Sequence, residues 1–317
     1  MDAFVIGISS KLDETVAVAM NRAGHVLATL KGKSCSHVTL GRNMARRRAV
    51  EMVDDLMASF GGDRDHCQCL LVGAAGIDSP KTKEVVTECF CAAHMLCPVI
   101  CLNDGNVALH TTTQGVGMVA VAGKGSIVVG RNPEGLMVRC GGYPITIHGD
   151  EGSAQWIALE AMHWASRWLD GSASNSALIS AMDQYFSGLD IEKMTECARA
   201  LRRRPVDTAI AQLVIDCARD GDEAAAHILQ KGAGELFEVA HICANQLGFG
   251  QEDAFLCGVW GDVFLQSECY LDEYRRLFGH GYPHAQIMLP NKEDAEGCAC
   301  MAIAWLNGEV PYMAQLQ

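Results

Sequence analysis

One stretch decides the fold: Arg139-Cys140-Gly141-Gly142-Tyr143-Pro144-Ile145-Thr146-Ile147-His148-Gly149-Asp150-Glu151-Gly152-Ser153-Ala154. It holds two adjacent acids between glycines, directly before a run with apolar residues at three- and four-residue spacing. That spacing predicts a helix, with Ser153 or Asp150 as its N-cap. Glycine permits tight backbone geometry, and a helix N-terminus stabilises anions and offers free N–H donors. The two acids are therefore either part of a binding turn or only caps of the helix, and the surrounding glycines favour binding.

The composition is that of a soluble globular protein with one large domain or two of ordinary size. The chain has 317 residues, of which 49% are hydrophobic and 20% charged. A net charge of −13 argues against a nucleic-acid partner, and the basic clusters at 42–48 and 199–204 fit solvated helix faces. No apolar run has the length of a membrane span, and the N-terminus lacks the features of a signal peptide. We expect a cytoplasmic protein that does not associate with membranes.

The fifteen cysteines are scattered along the chain. None forms a Cys-x-x-Cys pair, and the closest pairs are one residue apart, which is a poor spacing for a tetrahedral zinc site. Most lie in apolar runs, where a thiol acts as a small hydrophobe. They indicate a reducing compartment rather than disulfides, and we predict no metal-ligating side chains.

The order of predicted elements repeats along the chain. Strands are predicted at 3–9, 15–20, 25–30, 69–75 and 99–102, with helices at 40–60, at 80–94 and from the end of the last strand to about Thr113. The pattern then restarts with strands at 117–122, 126–131 and 136–139. A nearly all-helical region follows at 171–248, with its longest helix at 223–247, and then strands at 254–258 and 286–289 and a helix at 294–306. The repetition predicts two domains of one α/β architecture, each a mixed sheet flanked by helices.

The motifs and their order resemble one protein family. The chain resembles the N-acetylglucosamine kinase and BadF/BadG type ATPase family, within the superfamily of sugar kinases, heat-shock ATPases and actin. The resemblance spans roughly Val5 to Leu306, and its most specific part is Gly149-Asp150-Glu151-Gly152-Ser153. The other matching segments are Asn103-Asp104, Ala122-Gly123-Lys124-Gly125-Ser126, Asn132-Pro133-Glu134-Gly135, Gly141-Gly142 and Cys257-Gly258-Val259-Trp260.

The resemblance implies two actin-like (ribonuclease H-like) domains with a ligand cleft between them. The N-terminal domain is expected at 1–112, with a C-terminal helix at about 294–317 packing back on it. The larger second domain is expected at 113–293, with a helical insert at about 171–248.

The resemblance also implies phosphoryl transfer from ATP with Mg²⁺ to a hydroxyl of a sugar or amino sugar. Asp104 matches the catalytic base, although a helix N-cap is the alternative interpretation. The nucleotide-binding positions implied are Lys11, Asp13, Gly123, Lys124, Gly125, Ser126 and Gly258, the last in an adenosine-binding turn. The sugar-binding positions implied are Ser36, His37, Asn103, Gly142, Tyr143, Asp150 and Glu151. A homodimer is compatible with the apolar content of the helical region.

The first phosphate hairpin departs from the family pattern. Where the family has Asp-Gly-Gly-Gly-Thr, with an acid that helps to hold magnesium, this chain has Ser9-Ser10-Lys11-Leu12-Asp13. The second hairpin has Lys124 in place of a threonine. The sugar-contacting Asn and Trp are replaced by Ser36 and Val38. The Gly-Gly-Trp-Gly segment reads Gly141-Gly142-Tyr143-Pro144, with one extra residue before Gly149.

These departures leave three hypotheses open. In the first, Lys11 and Lys124 partly replace the metal charge in an active sugar kinase, unless both are ordinary exposed turn residues. In the second, the protein is a weak or inactive relative that acts as a ligand-binding or regulatory protein. The third is the dehydratase-activating ATPase branch with its iron–sulfur cluster, although no cysteines here match a cluster-binding pattern.

Overall fold

The computed structural model describes residues 2–201 and 208–310, without the side chains of 198–201. It divides the chain into two compact units. Unit 1 combines the residues up to Gly115 with those from Pro290 onward, and unit 2 is Val116–Leu289. The basic cluster at 199–204 falls outside the described side chains, and the last residues of the predicted C-terminal helix, 311–317, fall outside the described chain.

Unit 1 is built on a five-stranded mixed sheet of order β3-β2-β1-β4-β5. Strand β1 is central, because it pairs antiparallel with β2 and parallel with β4. Its seven residues are all buried, as expected for a strand covered on both faces. The strands are β1 (Phe4–Ser10), β2 (Glu14–Asn21), β3 (Val26–Lys33), β4 (Cys67–Ala74) and β5 (Val99–Asn103). The helices of this part of the chain are α1 (His37–Leu40), α2 (Arg42–Phe60), α3 (Pro80–Cys91) and α4 (Asp104–Thr113).

Unit 2 repeats this topology. Its sheet, read from the antiparallel edge, has the order β8-β7-β6-β9-β10, with β6 in the position of β1. The strands are β6 (Gly117–Ala122), β7 (Ser126–Arg131), β8 (Met137–Gly141), β9 (Leu256–Trp260) and β10 (Gln286–Met288). The helices are α5 (Ala154–Leu169), α6 (Ala177–Phe186), α7 (Ile191–Leu201), α8 (Ala209–Arg219), α9 (Glu223–Leu247), α10 (Asp262–Gln266) and α11 (Glu268–Gly281). Two mixed sheets of one topology, each flanked by helices, confirm the predicted architecture.

The last helix, α12 (Asp294–Leu306), packs directly on strand β1. A Cβ atom placed on Gly7 would lie 2.3 Å from the carbonyl oxygen of Ala295 and 2.3 Å from the amide nitrogen of Ala299. Only glycine therefore permits this approach of helix to strand. The thiol of Cys298 also donates to the carbonyl of Ile8, at 3.2 Å. The beginning of α12 is thus held at the end of β1 that leads into the first hairpin.

Two element predictions were wrong in detail, and two helices were missed. The helix predicted at 40–60 begins only at Arg42, because Gly41 has φ +72° and separates α2 from the short helix α1 before it. Helix α3 ends at Cys91, three residues before the predicted end, and His94 has φ +51°. Helices α10 and α11 were not predicted, although Tyr270, Tyr274 and Phe278 recur every four residues and are buried.

Within the described residues, no helix is both long enough and apolar enough to cross a membrane.

Candidate functional site

Asp104 is the first residue of α4 and follows directly on the end of β5. Its neighbour Asn103 caps the helix by accepting from the N–H of Gly105 at 2.9 Å, and it donates to the carbonyl of Ile77 at 3.1 Å. Asp104 is therefore not the N-cap, which was the alternative interpretation of this acid. The Asn103 side chain thus holds the loop that contains Ile77. Sugar binding by Asn103 stays a prediction.

The environment of Asp104 changes its acidity. Removal from water raises the pKa of its carboxyl to about 6, with Asp294 and Asp78 adding to the rise. The N–H of Gly105 and the ammonium of Lys11 oppose it. A carboxyl with a pKa near neutral pH is suited to proton transfer, because a general base works best when its pKa lies near the working pH.

The first hairpin, hairpin 1 (residues 11–14), forms without any glycine. The N–H of Lys11 donates to the carbonyl of Glu14 at 2.9 Å, and none of its residues has a positive φ. Ser34 donates to the Lys11 carbonyl at 2.9 Å, and Thr39 donates to the Leu12 carbonyl at 2.7 Å. The sequence thus replaces the family's glycine turn with one that ordinary L-residues adopt. Its Asp13 side chain is exposed.

The Lys11 ammonium forms an ion pair with Asp294 at 2.8 Å. The same carboxylate oxygen, Oδ2, lies 3.5 Å from Oγ of Ser9. Asp294 begins α12 and is separated from hairpin 1 by more than 280 residues of sequence. Sequence reasoning missed this acid because no local pattern links the two segments.

Ser36 and His37 lie at the start of α1, close to the end of β4. Ser36 is the N-cap and accepts from the N–H of Val38 at 3.3 Å. A small cavity brings Ser36 and His37 together with Ser10 and Ala75. His37 Nδ1 is buried and has no hydrogen-bond partner within unit 1. A sugar-binding role of this pair stays a prediction.

In unit 2, hairpin 2 (residues 123–126) and the acidic turn (residues 149–153) form a single structure. Oδ1 of Asp150 accepts from the N–H of Ser126 at 3.0 Å. A Cβ atom on Gly125 would lie 2.5 Å from the same oxygen, so a side chain there would displace the Asp150 carboxylate from the hairpin. Asp150 itself has φ +53°, a conformation that Asp and Asn adopt more readily than most residues. The carboxylate that the resemblance assigns to the sugar thus also holds the hairpin assigned to phosphate.

The N-terminus of α5 does not offer the free donors expected from the sequence. The N–H of Ala154 donates to the carbonyl of Gly123 at 2.9 Å, and that of Gln155 to the carbonyl of Lys124 at 3.2 Å. The N–H of Trp156 is capped by Ser153 Oγ at 3.2 Å. Ser153 is therefore the N-cap, as one of the two alternatives predicted. The first turn of the helix binds hairpin 2 and has no N–H group left for an anion.

Glu151 lies in the acidic turn, and Tyr143 lies next to that turn. Oε2 of Glu151 is buried and makes no hydrogen bond within the described structure. Tyr143 is 63% exposed. Its backbone lies close to Gly149, because a Cβ atom placed on Gly149 would be 2.2 Å from the Tyr143 carbonyl oxygen. Gly142 precedes it with φ +72°. Sugar binding by Gly142, Tyr143 and Glu151 stays a prediction.

Gly258, which the resemblance assigns to an adenosine-binding turn, is not in a turn. It lies inside β9, paired with Val119 of β6 and Met288 of β10. A turn follows at Gly261, which has φ +101°. A Cβ on Gly261 would lie 2.4 Å from the Ala122 carbonyl oxygen and 3.0 Å from the Gly123 nitrogen. Nucleotide binding by Gly258 stays a prediction.

The described residues give a magnesium ion no cage of protein ligands. Among them, no group of three or more His, Cys, Asp or Glu side chains converges as a metal site. The position of the family's acid is Ser9, and the nearby carboxylate of Asp294 is bonded to Lys11. The residues present therefore do not fit a magnesium ion bound directly by hairpin 1.

The comparisons with known proteins agree with one another. A family model described as the BadF/BadG/BcrA/BcrD ATPase family matches residues 13–276. An N-acetylmuramic acid/N-acetylglucosamine kinase of Clostridium acetobutylicum is 24% identical over 262 residues, which is 81% of this chain and 84% of that protein. An N-acetyl-D-glucosamine kinase of Dictyostelium discoideum is 23% identical over 312 residues, which is 94% of this chain and 97% of that protein.

A solved structure also shows this fold. The crystal structure of a putative N-acetylglucosamine kinase from Chromobacterium violaceum has a TM-score of 0.73 and 20% sequence identity, over 95% of this chain and 99% of that one. The similarity confirms the predicted two-domain α/β fold.

Proposed function

Since the chain belongs to the BadF/BadG/BcrA/BcrD ATPase family, we propose that it is an ATP-dependent kinase that phosphorylates a hydroxyl of an amino sugar. Two relatives that cover more than four fifths of the chain have names that include N-acetylglucosamine kinase. Sugars of the N-acetylglucosamine class are therefore the first acceptors to test.

The observation that carries this proposal is the position and acidity of Asp104. It stands at the carboxyl end of a parallel strand, where α/β folds commonly bind their ligands. With its pKa raised to about 6, the carboxylate is ionised at pH 7 and basic enough to accept the proton of an attacking hydroxyl. Phosphoryl transfer otherwise depends mainly on positioning and charge stabilisation.

The remaining roles follow from charge and backbone geometry. Lys11 supplies a positive charge at hairpin 1, where the family has an acid. Phosphate would approach the backbone of hairpin 2 at Gly123, which has open space where a side chain would stand. The N–H groups of Gly123 and Ser126 are already bonded, to the carbonyl of Gly125 and to Asp150. Asp150 keeps hairpin 2 in shape. Magnesium would arrive with ATP, held by phosphates and water, because such ions need few protein ligands.

The experiment is nucleotide binding followed by turnover in the same sample. ATP binding is measured by calorimetry with and without magnesium, and a panel of glucose, glucosamine and N-acetylglucosamine is then added while ADP is detected. We expect binding and ADP release stimulated by an amino sugar. Absence of ATP binding under every metal condition would contradict the proposal.

A further inference from the structure

A carboxylate from a different element lies beside the position where the family has its acid. Ser9 stands where the family has its acid, and Asp294 Oδ2 lies 3.5 Å from Ser9 Oγ. The same oxygen is 2.8 Å from the ammonium of Lys11. A carboxylate of α12 therefore contacts both residues that replaced the family motif.

Rigid backbone packing sets the position of this carboxylate. The contact of Gly7 with the carbonyl of Ala295 fixes the residue next to Asp294 against β1. Residues 7 and 9 of a strand point to the same face, so the face that receives α12 also presents Ser9. The ion pair thus joins hairpin 1 to the first residue of α12.

The helix dipole alone does not account for the contact. Acids in the first turn of a helix are stabilised by its dipole, and Asp294 is one of them. Glu296 lies in the same first turn and serves that purpose equally. Only Asp294, of these two, forms an ion pair with hairpin 1, which makes Glu296 a matched control.

The strand register aligns Ser10 with Ala74 and Ala74 with Asn103, so hairpin 1 and Asp104 lie at the same edge of the sheet. Asp294 of α12 and Asp78 after β4 raise its pKa, and Lys11 of hairpin 1 lowers it. Cys298 of α12 is also close enough to interact with it, and its own pKa is raised by burial. The two partners of the ion pair therefore act on Asp104 in opposite directions.

We propose that Lys11 and Asp294 are a positioning pair for Asp104, in which Asp294 holds the Lys11 ammonium beside the position of the missing acid, at the sheet edge where Asp104 also lies. This inference rests on the proposed function only in calling Asp104 the base. The pair fixes how strongly Asp104 binds a proton, and it keeps a positive charge at the hairpin.

The test measures the titration of Asp104 itself, without substrates. Aspartate labelled with ¹³C at Cγ is incorporated, and the Asp104 signal is assigned with Asp104→Asn. Asp294→Asn is expected to lower the pKa of Asp104, and Lys11→Met to raise it, each by about half a pH unit or more, since neighbouring charges shift a pKa by this order. Asp294→Glu should restore much of the wild-type value, and Glu296→Gln should leave it unchanged.

Two results would overturn the pairing. One is a pKa of Asp104 that stays unchanged in both Asp294→Asn and Lys11→Met. The other is a shift in Glu296→Gln as large as in Asp294→Asn, which would reduce Asp294 to a general helix-terminal charge. Because the titration needs no turnover, a protein without kinase activity still gives a clear answer.

A second observation concerns two cysteines elsewhere in unit 1. Cys67 begins β4 and is 5% exposed, whereas Cys97 is partly exposed in the loop before β5. Their sulfur atoms are 3.7 Å apart. Both line a surface groove together with Arg22 and Leu96. A small oxidant in solution therefore has access to a pair of thiols already in contact.

The two thiols differ in acidity. The hydrogen bond with Cys67 lowers the pKa of the Cys97 thiol. The same contact, together with burial, raises the pKa of Cys67. Thiolate is the reactive form of cysteine, so Cys97 is the thiol that reacts first.

We also propose that Cys97 and Cys67 are an oxidisable dithiol whose oxidant is a hydroperoxide. The Cys97 thiolate attacks the peroxide, the O–O bond breaks, and a proton completes the leaving alcohol or water while Cys97 becomes a sulfenic acid. The Cys67 thiol then displaces water from that sulfenic acid and forms the disulfide. In sum, two thiols are oxidised and one peroxide is reduced.

The test is hydrogen peroxide treatment of the full chain, followed by intact mass and peptide mapping. We expect a loss of about 2 Da, equal to two hydrogens, a Cys67–Cys97 peptide, and reversal by dithiothreitol. Cys67→Ser should leave a sulfenic acid at Cys97 that dimedone traps. Cys91, the exposed thiol, is the control, and Cys91→Ser should not change the result. Oxidation at Cys91 without a Cys67–Cys97 peptide would overturn the proposal.

Discussion

Oδ1 of Asp150 accepts a hydrogen bond from the backbone N–H of Ser126 at 3.0 Å. Two segments that look independent in the sequence, a glycine hairpin and an acidic turn, are therefore one structural unit. Helix α5 reinforces it, since its first two N–H groups donate to carbonyls of the hairpin. The shape of hairpin 2 thus depends on residues more than twenty positions away.

Asp150→Ala is expected to lower both the melting temperature and the affinity for ATP. It removes a charged acceptor from the Ser126 N–H, a loss of about 1.5–3 kcal/mol for a hydrogen bond of this kind. It also places alanine at a positive φ. Asp150→Asn keeps an acceptor oxygen and tolerates that φ, so it should lie between alanine and wild type. Thermal unfolding and calorimetry measure the two effects, and equal behaviour of the two variants would contradict the hydrogen-bond role.

The two glycines of hairpin 2 should respond differently to alanine. A Cβ on Gly125 would lie 2.5 Å from Asp150 Oδ1, whereas one on Gly123 meets nothing closer than 3.9 Å. Neither glycine has a positive φ. Gly125→Ala should therefore lower the melting temperature by several degrees, and Gly123→Ala should leave it nearly unchanged while weakening ATP binding. A Gly123→Ala variant with normal affinity would show that phosphate does not approach the hairpin there.

Gly7→Ala tests the packing that positions Asp294. The added methyl group would overlap the backbone of α12 at 2.3 Å, so the helix must shift, at a cost of about 1–3 kcal/mol or more. We expect a lower melting temperature and a change in the pKa of Asp104, because the Lys11–Asp294 pair moves with the helix. Gly279→Ala, where a Cβ meets nothing within 4 Å in α11, is the matched control and should be neutral or stabilising. Normal stability of Gly7→Ala would mean that α12 tolerates displacement.

The pH dependence follows from the raised pKa of Asp104. Protonation below about pH 6 removes the base, so kcat/KM should fall as the pH drops through that value.

The stability of the fold should depend on pH in the opposite direction to that expected for an ion-paired acid, whose pKa is lowered. A raised pKa favours the folded state at low pH, and this contribution is lost as the pH rises through about 6. Asp104→Asn should therefore be no less stable than wild type at pH 8, as thermal unfolding can check, even though its activity is expected to fall. A marked loss of stability in Asp104→Asn would show that the charged form is the one that the fold favours.

The sequence predicted what depends on local pattern and missed what depends on distant contacts. Strand β1 and helices α9 and α12 were predicted within a residue of their bounds, because apolar periodicity defines them. Asp294 was missed since its contact with Lys11 forms only when α12 packs on β1. Gly258 was expected in a turn for a related reason, because sequence cannot tell a glycine inside a strand from one in the turn that follows it.

The first hairpin illustrates the same limit in the opposite direction. Its sequence suggested that the nucleotide-binding hairpin is lost, because an acid and three glycines are absent. The fold accommodates the change with a turn that needs no positive φ and with a carboxylate from α12. No local pattern in residues 9–13 indicates either the glycine-free turn or the contact with the α12 carboxylate.

ADP release from ATP, with and without N-acetylglucosamine, shows whether the protein is a sugar kinase with Asp104 as its base. It is measured in wild type, Asp104→Asn and Asp55→Asn. Asp55 is an exposed acid of α2 and serves as the control. We predict sugar-stimulated ADP release that falls by a factor of about 10²–10⁴ in Asp104→Asn and is unchanged in Asp55→Asn. Sugar-stimulated release that persists undiminished in Asp104→Asn would contradict the account.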